Sequence, residues 1–364
     1  MITRNIITMS PKNTGVGRYI SDLLAMKNVT QEIYTIIRTA DNAHLDYFGK
    51  MVRGKEIPGL PSNWYFQNNF PKIAYHRFQK EIKKGLNKRN ILFHYSDCFQ
   101  TRFTPMERSL VTVHDIFVAS EKYAKKYNYK INRFNIKNLM EFLKMENLIV
   151  DSNFVKNDLL DLGYEFEPKV VYLSYGRHMK KTNDRNALRK KFGLPLNKTL
   201  IISVSSNDPR KNIKSIPETL DRLDKNKFNV IRVGPPLQGA YNFNNLSNEE
   251  VNDLYNASDL LLFPSLDEGF GYPLIESMSI GLPIVASDIE VVREICSNAA
   301  LLVEPNSRAF STAIREVVER KEEMSALSLS RSVNFSPEIF EKNIEKIYKE
   351  ILVKLDIETR TYDL

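Results

Sequence analysis

The residues best suited to chemistry lie in a short segment bounded by two glutamates, Glu268 and Glu276, with seven residues between them. Gly269 and Gly271 lie in this segment, and Pro273 follows. Because proline suits the first position of a helix, we expect a loop that carries Glu268 and a helix from about Pro273 with Glu276 in its first turn. Glycines allow close approach to a ligand, and a helix N-terminus attracts anions. The segment predicts a pocket for a ligand that has anionic groups and hydroxyls.

Further polar groups follow apolar runs that read as strands. Arg210 and Lys211 come shortly after residues 200–204, and His114 follows residues 110–113. A guanidinium and an ammonium in one loop can neutralise a diphosphate. We also expect the amides of Leu274 and Ile275 to be unpaired and to face the same crevice. Because parallel strands end at a common edge, these groups are predicted to line one cleft between two domains.

Taken singly, each of these residues has a simpler explanation. An isolated Arg-Lys pair is usually an exposed basic loop, and a lone histidine is usually structural. A glutamate near the start of a helix often only stabilises the helix dipole, and a loop glutamate is usually a solvated charge. Their shared position at strand ends favours the functional interpretation.

Short apolar runs alternate with amphipathic stretches along the whole chain, as strands and helices do in a parallel α/β sheet. The first set covers residues 32–38, 91–95, 110–114, 148–151 and 170–173, and the second covers 200–204, 229–233, 260–263, 283–286 and 300–303. Between the sets, the basic segment 177–191 is predicted to be a linker and a surface helix. Two α/β domains are therefore expected.

The predicted boundaries are residues 1–176 for a first domain, 177–335 for a second domain, and 336–364 for a terminal helix and tail. This helix has Ser336 as its expected N-cap. Its apolar face consists of Ile339, Phe340, Ile344, Ile347, Tyr348 and Ile351. Such a face needs an apolar surface to cover it.

Composition excludes several classes. The 364 residues are 42% hydrophobic and 26% charged, with 14 Gly and 16 Pro, which is an ordinary globular balance. Cys98 and Cys296 are too few for a disulfide framework or a zinc site, so we expect two buried cysteines. The chain shows no signal peptide and no apolar stretch long enough to span a membrane, and a cytoplasmic protein is expected.

The net charge of +8 is unevenly distributed. Residues 1–178 contain 27 Lys and Arg against 17 Asp and Glu, whereas residues 179–364 contain 25 against 27. The first half therefore favours an anionic partner. Residues 72–89 and 122–144 each combine seven Lys and Arg with aromatic residues. This pattern suits peripheral contact with the cytoplasmic face of an anionic membrane, but helices covering a sheet would show it equally.

Several motifs, in order, resemble the retaining glycosyltransferases of family four, the glycosyl transferases group 1. The segment 259–288 resembles their donor-binding signature, residues 205–212 their Arg-Lys clamp, and residues 254–259 a Leu-Tyr-x-x-x-Asp helix. Val113-His114-Asp115 resembles their catalytic loop, and residues 14–19 their Gly-rich donor loop. The sequence departs from the family pattern at two places. It has a single Gly15 where the family usually has a Gly pair, and it has Ser205-Ser206 where many relatives have Gly.

The resemblance implies the GT-B fold, in which two Rossmann-like domains face each other and a C-terminal helix crosses back to the first domain. It makes residues 1–176 the acceptor-binding domain and residues 177–335 the nucleotide-sugar-binding domain. It implies transfer of a mannose- or glucose-type hexose, with retention, from a nucleoside diphosphate sugar (GDP-mannose or a UDP-hexose) to a glycan or lipid-linked acceptor. Residues 113–117 resemble those of mannosyltransferases and favour GDP-mannose. Catalytic roles would fall to His114, Arg210, Lys211 and Glu268. Donor binding would involve Gly15, Gly17, Gly269, Phe270, Gly271, Tyr272, Leu274 and Glu276.

No cofactor is expected. Because the chain has no Asp-x-Asp motif, we expect the basic clamp, rather than a metal ion, to neutralise the diphosphate.

Two other functions stay open. A sugar-nucleotide epimerase or hydrolase would share the fold, but would lack this combination of Arg210, Lys211 and the spaced glutamates. A nucleic-acid-binding protein would explain the basic first half but not the acidic second half, and no nucleic-acid-binding motif is present, so no nucleic-acid partner is expected.

Overall fold

The protein is described here by a computed structural model covering residues 2–8, 15–27, 29–35, 91–98, 109–130, 133–182 and 184–362. The chain divides into two compact units. Unit 1 comprises Met1–Val171 and Phe340–Leu364, and unit 2 comprises Tyr172–Ile339. The end of the chain thus belongs to the same unit as its beginning, as the resemblance to the GT-B fold implies.

Unit 1 is built on a six-stranded, fully parallel sheet with the strand order β2-β1-β3-β4-β5-β6. Its described elements are β1 (Ile2–Thr8), α1 (Gly15–Ala25), β2 (Val29–Thr35), β3 (Ile91–Tyr95), β4 (Ser109–Val113), α2 (Glu121–Tyr127), α3 (Arg133–Phe142), β5 (Leu148–Val150), α4 (Asn153–Asp161) and β6 (Lys169–Val170). Strands β4 and β5 are buried along their whole length, as expected for strands covered on both faces.

Unit 2 has a second parallel sheet of six strands, in the order β12-β11-β10-β7-β8-β9. Its first elements are α5 (Arg185–Lys191), β7 (Thr199–Val204), a 3-10 turn (Pro209–Lys211), α6 (Ser215–Leu220), β8 (Phe228–Val233), β9 (Tyr241–Phe243), α7 (Asn248–Ala257) and β10 (Leu260–Phe263). They are followed by α8 (Tyr272–Ser279), β11 (Ile284–Ser287), α9 (Glu290–Cys296), β12 (Leu301–Val303), α10 (Ser307–Glu319), α11 (Lys321–Ser332) and a 3-10 turn (Val333–Phe335).

The order of strands in unit 2 places a topological switch between β7 and β10. The chain runs from β7 outward through β8 and β9, then returns to β10 and continues outward through β11 and β12. In parallel α/β sheets, such a switch leaves a crevice between the two loops at the carboxyl ends of the central strands. The loops that follow β7 and β10 carry the predicted clamp and the first predicted glutamate, so the topology brings them to one place.

Most strand predictions are confirmed to within a few residues, and those for 91–95 and 260–263 match the observed bounds. The sequence analysis missed β1 and the short β9. Strand β1 lies between β2 and β3, and its β-branched residues were the available signal. The expectation of buried cysteines is confirmed, because Cys98 and Cys296 are 1% and 0% exposed.

The terminal helix α12 runs from Pro337 to Tyr362. The hydroxyl of Ser336 accepts a hydrogen bond from the Ile339 amide at 3.4 Å, which confirms the predicted cap. Of the predicted apolar face, Ile339 is half-buried, and the five others are buried: Phe340, Ile344, Ile347, Tyr348 and Ile351. Among the described residues, no helix has both the length and the apolar composition needed to cross a bilayer.

A buried polar network joins this helix to the sheet of unit 1. Nδ1 of His94 on β3 is hydrogen-bonded to the Tyr348 hydroxyl at 2.6 Å. Its Nε2 is hydrogen-bonded to the hydroxyls of Thr112 at 2.8 Å and Tyr19 at 3.2 Å. All four side chains are at most 1% exposed. Because buried polar groups are costly when unpaired, this network fixes one position of α12 against β3, β4 and α1.

The Tyr348→Phe variant tests this network. It removes the hydroxyl bonded to His94 and leaves the aromatic ring in place, so the free energy of unfolding should fall by about 1–3 kcal/mol. Val353→Ala on the same helix, at a side chain that is 59% exposed, should change it by less than about 0.5 kcal/mol. Equal urea midpoints for Tyr348→Phe and the unmodified protein would contradict the prediction.

Candidate active site

The predicted clamp of unit 2 is assembled around the carboxylate of Glu268. Nη1 of Arg210 donates to its Oε2 at 2.8 Å, and Nζ of Lys211 donates to Oε1 and Oε2 at 2.6 and 2.8 Å. Glu268 is only 4% exposed, and the side chains of both cations are 15% exposed. Three of the predicted site residues therefore meet at the crevice between β7 and β10, and Glu268 is not a solvated loop charge.

Local hydrogen bonds hold the two loops together. The carboxylate of Asp208 accepts from the Arg210 amide at 3.0 Å and so caps the 3-10 turn Pro209–Lys211. The carbonyl of Arg210 accepts from the Leu266 amide at 2.7 Å, which ties the loop after β7 to the loop after β10. The basic pair is thus part of an ordered turn rather than a flexible surface loop.

The pKa of Glu268 is lowered from 4.5 to about 2. Burial alone would raise it, but the charges of Lys211 and Arg210 outweigh burial, and hydrogen bonds from Lys211 and Ser265 add to the lowering. Glu268 is therefore ionised at neutral pH. An ionised carboxylate accepts hydrogen bonds and cannot act as a general acid.

Glu276, the second predicted glutamate, is fully buried on α8. The hydroxyl of Tyr255 on α7 donates to its Oε2 at 2.7 Å, so the residue is held by a specific partner. Its predicted place in the first helical turn is wrong. Because α8 already begins at Tyr272, with Gly271 as its N-cap, Glu276 is the fifth residue of the helix and lies in its second turn.

Gly271 adopts a left-handed backbone conformation with φ of 109°. A Cβ atom there would lie 2.9 Å from Cδ1 of Leu274, so a side chain would be both strained and crowded. The predicted unpaired amide of Leu274 is a further error, because this amide donates to the Gly271 carbonyl at 3.0 Å.

The aromatic residues of this segment pack within unit 2. Phe270 is 4% exposed, and its ring lies 6.0 Å from that of Phe335 and 6.1 Å from that of Tyr172. Tyr272 is half-buried beside Phe270, with 6.5 Å between the ring centroids. A donor contact from Phe270 would therefore come from its backbone, and its side chain stabilises the loop that contains Gly269 and Gly271.

His114, the predicted catalytic residue of unit 1, lies at the ends of three neighbouring strands. Its Nδ1 is 2.6 Å from Oδ2 of Asp151, which follows β5, and its Nε2 is 2.8 Å from the carbonyl of Ser96, which follows β3. The ring of Tyr19 packs edge-on at 4.9 Å. Since both ring nitrogens face acceptors, both carry hydrogen, and the ring is an imidazolium.

This geometry agrees with a raised pKa for His114. Burial alone would lower it, but the charge and hydrogen bond of Asp151, the charge of Asp97 and the Ser96 carbonyl raise the pKa to about 9. The role predicted for His114, a hydrogen bond to the transferred sugar, requires that Nε2 exchange the Ser96 carbonyl for a sugar hydroxyl. That this residue shares a cleft with Glu268 stays a prediction.

Two glycines of the predicted donor loop, Gly15 and Gly17, lie in a helix instead. Gly15 is the exposed first residue of α1, and Gly17 is buried within it, where its carbonyl accepts from the Ser21 hydroxyl at 3.0 Å. The loop assignment of these two positions is therefore wrong. Residues 9–14, which precede them, lie outside the described residues.

Asp259, at the end of the Leu-Tyr-x-x-x-Asp motif, has a structural role. It directly precedes β10 and thus lies at the opposite end of that strand from Glu268. Arg185, Arg189 and Lys321 pair with its carboxylate at 2.9, 2.5 and 2.9 Å. The predicted surface helix in this segment is confirmed, because four of the seven residues of α5 are exposed. Arg189 is only 4% exposed, and its ion pair with Asp259 anchors the helix.

The aromatic residues of the basic segment 122–144 have a structural explanation where they are described. Tyr123 is 1% exposed, and Tyr127 and Tyr129 pack against the same apolar core of unit 1. Lys122 and Lys126 lie over the rings of Tyr123 and Tyr127. The other basic segment, 72–89, lies outside the described residues.

Within the part of the chain that is described, no three His, Cys, Asp or Glu side chains group as metal ligands.

Sequence reasoning did not single out several supporting residues. Tyr255 was only part of a motif, whereas Asp151, Ser96, Asp208 and Ser265 were not considered as site residues. Asp151 had a usable signal, because it ends the predicted strand 148–151 as His114 ends the predicted strand 110–114. A carbonyl such as that of Ser96 gives no sequence signal.

The chain is similar to known proteins in both sequence and fold. Residues 184–331, within unit 2, match the family described as glycosyl transferases group 1. The chain is 23% identical over 347 residues to the O-antigen chain mannosyltransferase RfbU of Salmonella typhimurium, and the match covers 88% of this chain and 92% of that protein.

Solved structures share the fold across nearly the whole chain. Sucrose-phosphate synthase from Thermosynechococcus elongatus superimposes with a TM-score of 0.73 at 16% identity, covering 97% of this chain and 100% of that one. Anabaena HepE, solved with UDP and glucose, gives a TM-score of 0.72 at 15% identity, covering 96% and 100%. At these identities the likeness establishes the fold, which is GT-B.

The raised pKa of His114 predicts how stability depends on pH. Because the pKa of about 9 in the folded protein lies above the reference value of 6.5, the imidazolium contribution is complete below pH 6.5 and is lost as the pH rises through 9. The free energy of unfolding should fall by on the order of 3 kcal/mol across that window. Urea titrations at both ends of the window should show a smaller fall for His114→Gln. Equal falls in the two proteins would contradict the prediction.

Proposed function

We propose that this chain, a glycosyltransferase of group 1 with the GT-B fold, transfers a mannosyl-type hexose from a nucleoside diphosphate sugar to a glycan or lipid-linked acceptor, with retention of anomeric configuration. The observation that carries the proposal is the buried carboxylate of Glu268 held between Arg210 and Lys211 at the switch point of unit 2. Two cations, the carboxylate of Glu268 and the start of α8 occur together there. The cations and the helix start suit a diphosphate, and the carboxylate suits sugar hydroxyls.

The main chemical task is to stabilise negative charge on the leaving β-phosphate. Arg210 and Lys211 supply fixed positive charge, and the start of α8 near Gly271 supplies a favourable dipole. Because Glu268 stays ionised, it accepts hydrogen bonds from hydroxyls of the transferred sugar and also holds the two cations in place. Glu276, fixed by Tyr255, is assigned to the ribose hydroxyls. Attack of the acceptor on the same face that the leaving group departs from, without a protein nucleophile, is part of the proposal.

The choice of a mannosyl donor rests on two supports. Residues 113–117 resemble those of mannosyltransferases, and the relative RfbU is named an O-antigen chain mannosyltransferase. The structure of Anabaena HepE contains UDP and glucose, which makes a UDP-hexose the second donor to try. GDP-mannose is the first.

A sugar-nucleotide epimerase or hydrolase is the alternative within this fold. A hydrolase would release nucleotide at the same rate with and without acceptor, and an epimerase would convert the donor sugar without releasing nucleotide. The acceptor dependence of nucleotide release therefore separates the three activities.

Contact of unit 1 with an anionic membrane is a separate proposal, supported by its excess of Lys and Arg. Flotation with vesicles that contain or lack anionic lipid tests it. Binding to both kinds of vesicle, or to neither, would contradict the electrostatic basis of the proposal.

The proposed function is tested with a panel of nucleoside diphosphate hexoses and a mixture of glycan and lipid-linked acceptors. We expect nucleotide release to require an acceptor and to be fastest with GDP-mannose. Because Arg210 and Lys211 neutralise the diphosphate, transfer should continue in EDTA. Activity that vanishes in EDTA and returns with manganese would contradict the assigned role of the clamp, and a panel without any turnover would contradict the proposed function.

Arg210→Ala and Lys211→Ala should each lower kcat/KM by about 2–4 kcal/mol of transition-state stabilisation, roughly 30- to 1,000-fold. Arg210→Ala is the cleaner variant, because Glu268 keeps both hydrogen bonds from Lys211 and folding is less affected. Lys214→Ala is the matched control, because Lys214 is an exposed lysine three residues after Lys211, and this variant should keep full activity. If Arg210→Ala retains kcat/KM within about twofold, the clamp assignment is wrong.

A further inference from the structure

Arg232 is a buried cation that has no acidic partner among the residues the structure describes. It lies on β8, is 0% exposed and is among the largest fully buried side chains of the described chain. Its Nε donates to the Pro235 carbonyl at 3.0 Å, and Nη2 donates to the Ser205 carbonyl at 2.7 Å. Nη1 donates to the hydroxyls of Ser205 and Ser203 at 3.0 and 3.3 Å and to the Ser203 carbonyl at 3.4 Å. Within the described residues, every partner of this guanidinium is a neutral oxygen.

Such an arrangement is unusual. Buried charges are generally paired with an opposite charge, because removing a charge from water is expensive. Burial lowers the pKa of Arg232 to about 10, so the guanidinium keeps its charge at neutral pH. For comparison, the buried Arg189 of the same unit is paired with Asp259 at 2.5 Å.

The guanidinium also joins the two loops at the carboxyl ends of β7 and β8. Ser203 pairs with Arg232 in the register of these strands, and Ser205 and Gly234 come just after the strands end. Gly234 has φ of 126°, and a Cβ atom there would lie 2.2 Å from the Ser205 carbonyl oxygen. The Ser205 carbonyl therefore accepts a hydrogen bond from Arg232 at a place where Gly234 allows the two loops to approach closely. Five residues later the same loop reaches Arg210.

Carboxylates offset part of the positive charge of the clamp. Arg210 and Lys211 both bind Glu268, and Nε of Arg210 also lies 3.6 Å from Oδ1 of Asp208. Among the described residues Arg232 has no carboxylate partner, so it adds an uncompensated positive charge next to the loop that leads to the clamp. A charge in a poorly solvated position is screened weakly and acts over a longer distance.

We propose that Arg232 is a positioning residue for the diphosphate of the donor. It fixes the loop from Ser205 to Arg210, and it supplies the uncompensated positive charge that makes this edge of unit 2 attractive to a nucleoside diphosphate. The inference rests on the proposed function, because it assigns the diphosphate to this edge. Arg232 is fully buried, so it would act on the bound diphosphate without touching it.

The test measures binding of GDP, UDP, guanosine and uridine to the full chain, by calorimetry for the nucleotides and by saturation-transfer NMR for the nucleosides. Arg232→Gln keeps a hydrogen-bond donor but removes the charge. We expect it to weaken binding of the preferred nucleoside diphosphate by about tenfold and to leave binding of the corresponding nucleoside unchanged. Arg232→Lys keeps the charge and should bind the nucleoside diphosphate within about threefold of the unmodified protein.

Arg320→Gln is the matched control, because it removes one guanidinium from an exposed position in the same unit. It should not change either affinity. An equal loss of nucleoside and nucleoside diphosphate binding in Arg232→Gln would indicate a merely structural role and overturn the inference, as would unchanged binding of both. If Arg232→Gln does not fold, the Arg232→Lys variant is the deciding measurement. A folded Arg232→Lys protein whose affinity for the nucleoside diphosphate is tenfold or more below that of the unmodified protein would overturn the inference.

Failure of the proposed function gives a different result. An unmodified protein that binds neither GDP nor UDP overturns the proposed function and this inference together. An unmodified protein that binds one of them, with an Arg232→Gln variant that binds it equally well, overturns the inference alone.

Discussion

The buried carboxylate of Glu268 is the constraint on which the site of unit 2 depends. A carboxylate that is 4% exposed must be paired, and Arg210 and Lys211 pair with it through three hydrogen bonds. The same bonds hold the two cations at the switch point of the sheet and keep Glu268 ionised. The two cations and the carboxylate therefore form one cluster, and none of them can be changed without affecting the others; under the proposed function this cluster would bind both the phosphate and the sugar hydroxyls.

A similar arrangement occurs in unit 1, with different chemistry. His114 follows β4, its partner Asp151 follows β5, and Ser96 follows β3, so three adjacent strand ends determine the protonation state of one imidazole. In both units, loops that are distant in sequence meet because parallel strands end at a common edge. The sheets thus act as rigid supports, and the functional groups lie in the loops that the sheets bring together.

The buried polar groups of this protein differ in whether their hydrogen-bond partners are charged or neutral. Asp259 is paired with three cations, and His94 with three neutral hydroxyls that include Tyr348 on the terminal helix. These two clusters fix α5 and α12 in place and lie in the fold rather than in the candidate site. Arg232 differs because no described carboxylate pairs with it, and it is the one of the three that lies beside the loop leading to the clamp.

The sequence by itself determined the α/β class, nearly all strands and the positions of the clamp and both glutamates, because continuous apolar runs and their flanking polar residues are local signals. It also indicated the apolar face of α12. Tertiary structure alone decided the rest. It showed that Glu268 binds the clamp, that Tyr255 holds Glu276 and that both nitrogens of His114 are occupied. These contacts join residues 18 to 58 positions apart, and only the strand order determines which loops meet. The placement of Gly15 and Gly17 in a helix and the paired amide of Leu274 depended on the helix start that the backbone adopted, because a glycine or a proline permits several starts and packing selects one of them.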